Sequence, residues 1–176
     1  MENVLKNFVI IFVGLIVISP ILQAQENDEF VFTKQIGLTL SSVTGAGIQY
    51  IYPSTEKDNI KVVGIFIYNN DTDNKDSFFS LGLEYQRDLR ESNIQRVYAF
   101  GGAHIDNSFS EETFFNSDGQ QDSFFSLGGG MGVDLGDRKR GLILNFHAAY
   151  QFTRGFGDED KTRIGLGAGI GIGFNF

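Results

Sequence analysis

From Thr33 to Phe176 the chain alternates between apolar positions and polar or glycine positions. A period of two marks strands whose two faces meet different surroundings. Thr162–Phe176 shows it best. Its even positions are Thr162, Ile164, Leu166, Ala168, Ile170, Ile172, Phe174 and Phe176, and its odd positions are Arg163, five glycines from Gly165 to Gly173, and Asn175. Gly141–Arg154 sets Leu142, Leu144, Phe146, Ala148, Tyr150 and Phe152 against Ile143, Asn145, His147, Ala149, Gln151 and Thr153. Phe124–Leu135, Arg96–Asp106 and Phe78–Gln86 alternate in the same way, and Thr33–Ser41, Gly45–Tyr52 and Asn59–Tyr68 do so more weakly. The pattern predicts eight strands and no helix between them. The links Tyr68–Ser77, Asp106–Ser123 and Arg154–Thr162 read as long acidic loops. Arg87–Asn93 and Leu135–Arg140 read as short basic turns, Pro53–Asp58 as a middling link and Ser42–Gly45 as a short one. Long connections on one side and short ones on the other predict an all-β fold, an eight-stranded antiparallel up-and-down barrel.

The glycine face decides which side of that barrel is outside. Glycine weakens a strand that shows it to water, whereas a narrow lumen has room for little else. The apolar face is therefore assigned to lipid, which makes the barrel a transmembrane one. Lipid-facing aromatics then fall in two girdles, Tyr50, Tyr52, Tyr85, Phe174 and Phe176 at one end and Phe79, Phe125, Tyr150 and Phe152 at the other. Two girdles around an aliphatic band suit a barrel spanning about 25 Å of hydrocarbon. Residues 1–24 fit this destination. Lys6 precedes an 11-residue apolar run, Phe8–Ile18, which breaks at Ser19-Pro20 and ends at Ala24 before a polar stretch. A bilayer-spanning helix needs about 20 residues, so the run reads as a cleavable signal peptide. The predicted barrel domain is 25–176.

Together these features resemble the small eight-stranded outer-membrane barrels of the OmpA/OmpX type. The C-terminal Ile170-x-Ile172-x-Phe174-x-Phe176 resembles the ending read by the outer-membrane assembly machinery. The resemblance implies a Gram-negative outer membrane, periplasmic termini and long loops facing outward. It also implies contact with outer-membrane lipid and lipopolysaccharide, and with the assembly machinery through Phe176. Such barrels serve as anchors, adhesins, defence proteins and, in a few cases, lipid-modifying enzymes, so the resemblance leaves the role open.

Composition narrows the chemistry. A formal net charge of −8 argues against nucleic acid as a partner. The absence of Cys excludes disulfides, thiolate metal sites and a Cys nucleophile. Gly128-Gly129-Gly130 and Gly165–Gly173 are not dinucleotide loops, because no helix or distal acid follows them. Lys61, Glu84, Arg96 and Asp134 all face the lumen in this register. As a mutually neutralising plug they close the barrel; as a constriction they select solutes in a narrow channel. Eight strands leave an interior just wide enough for side chains, which favours the plug and predicts coupling between Glu84 and Arg96.

His104 and His147 are the two histidines, both inward. His104 with Asp106, Ser108 and Ser110 forms a loose His/Asp/Ser set at the outer rim, although lumen histidines held by neighbours are the commoner case. Asp71–Asp76 and Asp158–Asp160 cluster oxygen ligands. The first lacks the glycine and distal Glu of a calcium loop, so both read as solvated acid. No catalytic, cofactor-binding or metal site is assigned. The reading is a non-enzymatic barrel that carries acidic loops, above all Asp106–Ser123 with Phe114 and Phe115. The alternatives are a narrow porin-like channel or a lipid-modifying enzyme.

Overall fold

The computed structural model describes residues 33–70, 74–112, 120–156 and 161–176. The signal segment and the loop tips bearing Asp71–Asp73, Phe114, Phe115 and Asp158–Asp160 lie outside the described residues. Eight strands form one closed antiparallel barrel: β1 (Gln35–Ser41), β2 (Gly45–Pro53), β3 (Asp58–Asn70), β4 (Asn74–Glu91), β5 (Gln95–Glu112), β6 (Gln120–Gly136), β7 (Gly141–Phe156) and β8 (Thr162–Asn175). Each strand pairs with its sequence neighbour, and β1 closes the ring on β8 from Gln35↔Asn175 to Ser41↔Gly169. The eight-stranded up-and-down architecture is the one the alternation predicts, with most strand ends within two residues.

The ends facing the long links differ. Pairing of β3 with β4 continues to Asn70↔Lys75, β5 runs to Glu112 and β7 to Phe156. Much of what reads as loop is strand. Apolar alternation stops where lipid stops, but an antiparallel backbone ladder continues into water once the hairpin is anchored.

The barrel is inside out compared with a water-soluble one. Its buried side chains are largely polar or charged, including Gln49, Lys61, Glu84, Gln86, Arg96, Asp134 and Asn145. Its exposed ones include Leu38, Leu40, Leu83, Leu127, Leu142, Tyr150, Leu166, Ile170 and Phe174. On β7 the outward run from Leu142 to Phe152 gives way to Arg154. At a rise of about 3.3 Å per residue and a tilt of about 40°, that run is roughly 25 Å tall, the thickness of an outer-membrane hydrocarbon layer.

One short link does something the sequence does not announce. Ser42, Val43 and Thr44 join the two shortest strands, and Val43 and Thr44 have no exposed surface at all. The three-residue turn folds into the lumen. Gly45 follows at φ +80°, the left-handed conformation such a turn requires and glycine adopts without penalty. The Ser41 hydroxyl accepts hydrogen bonds from the Val43 and Thr44 amides, both at 3.1 Å. Facing glycines make the space. A Cβ at Gly82 would collide with the Thr44 carbonyl oxygen; one at Gly102 would lie 2.8 Å from Thr44 Cγ2, and one at Gly128 3.1 Å from Val43 Cγ1.

This geometry predicts opposite outcomes for two glycines on the same lumen surface. Gly82→Ala should destabilise the barrel by about 1–3 kcal/mol through overpacking against the turn. Gly165→Ala should be near neutral, because a Cβ there meets nothing within 4 Å. Urea unfolding in lipid vesicles, followed by the loss of heat-modifiable gel migration, measures both.

Candidate functional site

The lumen holds the molecule's densest chemistry, and strand register builds it. Facing positions on paired strands place Lys61 opposite Glu84 and Arg96 opposite Asp134. Lys61 Nζ lies 3.7 Å from Glu84 Oε2. The Arg96 guanidinium makes three separate contacts: Nη1 donates to Asp134 Oδ2 at 2.9 Å, Nε to Asp88 Oδ1 at 2.6 Å and Nη2 to Gln86 Oε1 at 2.7 Å. Its plane also lies over the Tyr98 ring, 4.4 Å from the centroid, a cation–π arrangement. Gln86 then donates to Glu84 Oε1 at 2.6 Å.

The four predicted charges are therefore all inward, and all are nearly or wholly buried. Glu84 and Arg96 do not touch; Gln86 links them. The network continues through Asn145, which donates to Asp134 at 2.7 Å, and Gln49, which donates to Asn145 at 2.8 Å and to Gln35 at 3.3 Å. Gln35 donates in turn to Asn175 at 3.1 Å.

Sequence reasoning missed two members, Asp88 and Arg138, by assigning both to turns. Asp88 was within reach of the period. The inward positions of β4 run Ser80, Gly82, Glu84, Gln86, and one more step arrives at Asp88 before the register shifts between Asp88 and Arg90. Arg138 gave no such signal. It belongs to the β6–β7 turn and folds back, with Nη1 3.7 Å from Asp134 and Nη2 donating to Glu91 at 2.8 Å. Lys61, Arg96 and Arg138 thus pair with Glu84, Asp88, Asp134 and, at the rim, Glu91. Pairing matters because an unpaired charge in a narrow interior is penalised by several kcal/mol.

A second layer lies above the charges. Val43 of the inserted turn packs with Tyr98, Phe100 and Ala149 into a small apolar cluster inside the barrel. The Phe100 ring meets the His147 ring edge-on, with centroids 4.9 Å apart. His147 Nε2 lies 2.8 Å from Ser41 Oγ. Since that oxygen already accepts two amides, its proton points at His147, which makes Nε2 an acceptor. Both predicted inward histidines are confirmed as such.

His104 does contact Asp106, as the rim set required: Nε2 lies 3.0 Å from Asp106 Oδ2. Its other nitrogen, Nδ1, is 2.7 Å from the Val43 carbonyl oxygen. Both ring nitrogens face acceptors, so the imidazole pins the turn and offers no lone pair to a serine hydroxyl. Ser108 and Ser110 lie on β5 itself, not on a loop after it. No group of three or more potential metal-ligating side chains stands together among the described residues.

Largely polar within and apolar without, the chain is a small eight-stranded transmembrane β-barrel. The chain is similar to several solved structures. The N-terminal β-barrel domain of Pseudomonas aeruginosa OprF matches at 18% identity over 82% of this chain and 97% of that one, with a TM-score of 0.43. Ail, the attachment invasion locus protein of Yersinia pestis, matches at 14% identity over 82% and 97%, with a TM-score of 0.44. Neisserial surface protein A matches at 12% identity over 81% and 93%, with a TM-score of 0.46. No family model and no curated protein matches the sequence.

The charge layer predicts a specific asymmetry. Arg96→Met alone should destabilise the barrel by about 3–5 kcal/mol, because it strands buried carboxylates. Adding Asp134→Leu should recover part of that loss, which makes the pair strongly non-additive. Vesicle unfolding of the two singles and the double measures the coupling; additive effects would contradict the network.

Proposed function

We propose that this protein is a non-conducting, non-enzymatic barrel of a Gram-negative outer membrane that anchors acidic hairpins at the cell surface. What fills the lumen supports this reading. The charge layer and the inserted turn lie one above the other across it, where the solute-channel alternative needs a continuous polar path. The lipid-modifying alternative needs a free base, and both nitrogens of His104 are engaged.

The hairpins support the rest. On the side opposite the termini, β4 and β5 pair as far as Asn74↔Glu112, well beyond the aromatic girdle at Phe79. That pairing forms a stalk on the side opposite the termini. Partners in this reading are outer-membrane lipid and lipopolysaccharide along the belt, and the assembly machinery at the Phe176 ending. Residues 1–24 direct export as a signal peptide, and no cofactor is required.

Orientation is the testable part. The chain has no Cys, so single cysteines report cleanly. A membrane-impermeant maleimide should label Ser117→Cys in intact cells, and should label Lys139→Cys, on the β6–β7 turn, only after the outer membrane is permeabilised. The reverse pattern would refute surface display of these hairpins.

A further inference from the structure

The barrel wall is not equally tall all the way round. β1 has 7 residues and β2 has 9, whereas β4 and β5 each have 18. The β1–β2 hairpin therefore stops partway up the barrel. Its last hydrogen bonds to β8 are at Ala168, whose carbonyl accepts from the Ser42 amide and whose amide donates to the Ser42 hydroxyl. Above that point Thr162–Gly167 of β8 pairs only with β7, and Ile65–Asn70 of β3 pairs only with β4, among the described residues. Two unpaired strand edges face each other across a notch. With three strand spacings of about 4.8 Å separating β8 from β3, the notch is roughly 14 Å wide.

The notch opens within lipid rather than above it. On β8 the outward apolar residues continue past Ala168 to Leu166 and Ile164, which pair with Tyr150 and Phe152 of the outer girdle. Behind the notch lies a cavity of about 480 Å³, the outer vestibule of the lumen above the inserted turn. Lumen-facing Ser41, His104, Ser126 and Gln151 line it together with Ile164 and Leu166, which belong to the outer surface of β8. Residues of both faces meet one cavity only where the wall between them is missing.

One apolar side chain on the lumen face marks the same place: Phe124 lines the vestibule and is 43% exposed. Farther out on the lumen face of β8, Arg163 puts a positive charge at the vestibule mouth, while the Asp106 carboxylate, which also lines the cavity, is held by His104.

We propose that this notch is a lateral portal that admits one acyl chain of an anionic outer-leaflet lipid. The chain lies across Ile164, Leu166 and Phe124, and the headgroup sits outward at Arg163. Apolar surface recessed behind a lipid-level gap favours a chain over water, and the cation at the mouth selects the charge of the head. This inference rests on the barrel spanning a membrane.

The chain contains no Trp, so a single introduced one reports on its own surroundings. Phe124→Trp places the probe in the vestibule, with Thr153→Trp as a second vestibule position should the first not fold. Leu127→Trp places it on the lipid face, and Phe100→Trp below the turn. Each full-length variant is refolded into vesicles of phosphatidylglycerol or phosphatidylcholine with brominated acyl chains, which quench Trp on contact. The proposal predicts that Phe124→Trp loses fluorescence nearly as far as Leu127→Trp in phosphatidylglycerol and less in phosphatidylcholine, while Phe100→Trp stays bright. It predicts that Arg163→Glu removes the difference between the two lipids.

Phe124→Trp and Thr153→Trp as bright as Phe100→Trp would show that no chain enters. Equal quenching by the two lipids would overturn the role given to Arg163. An unquenched Leu127→Trp would instead defeat the membrane reading beneath both.

Discussion

A backbone amide immersed in hydrocarbon must find its hydrogen-bond partner within the protein, because no water is there to supply one. The rest of this structure follows from that constraint. A sheet satisfies it by closing, and closure here is made by β1 against β8 as far as Ser41↔Gly169, above which the β8 edge borders the polar vestibule. Once the ring is closed at eight strands, the width of the interior is set, and whatever points inward must fill it.

The filling is organised in layers. Nearer the termini, cross-strand register sets charges of opposite sign face to face, and Gln86 and Asn145 bridge them. In the middle, the β1–β2 turn substitutes for side chains that β4, β5 and β6 do not have, because Gly82, Gly102 and Gly128 leave room for Val43 and Thr44. The glycines of β8 do the same for single side chains. A Cβ at Gly169 would overlap the His147 ring, and one at Gly173 would lie 2.7 Å from the Gln35 amide carbon. A glycine stripe in a strand is ordinarily a weakness. Here it is the complement of bulky neighbours across a narrow lumen. The same short hairpin that fills the middle leaves the wall low on one side, so the plug and the lateral notch have one cause.

Much of this was legible in the sequence. Alternation is local, so strand number, facing and most boundaries could be read directly, and facing alone put Lys61, Glu84, Arg96, Asp134, His104 and His147 into the lumen. What alternation does not carry is contact between strands distant in the chain. The insertion of Val43 depends on glycines 39, 59 and 85 residues farther along, and nothing near Ser42–Gly45 marks it as anything but a tight turn. Arg138 escaped for the same reason, since its partners, Glu91 and Asp134, are brought to it by the barrel. The outer hairpins escaped for a different one. Their polar residues look like loop to any reading based on burial, while their backbone ladder obeys hydrogen bonding and continues beyond the membrane.

The central claim is that the lumen is closed by its own residues. Conductance across a planar bilayer, with the refolded protein inserted and heat-modifiable migration confirming its fold, tests this most directly. A lumen closed in this way gives insertion without conductance steps. Reproducible steps in the unaltered protein, with amplitude changed by Glu84→Ala or Arg96→Ala, would contradict it and make the charge layer the filter of a pore.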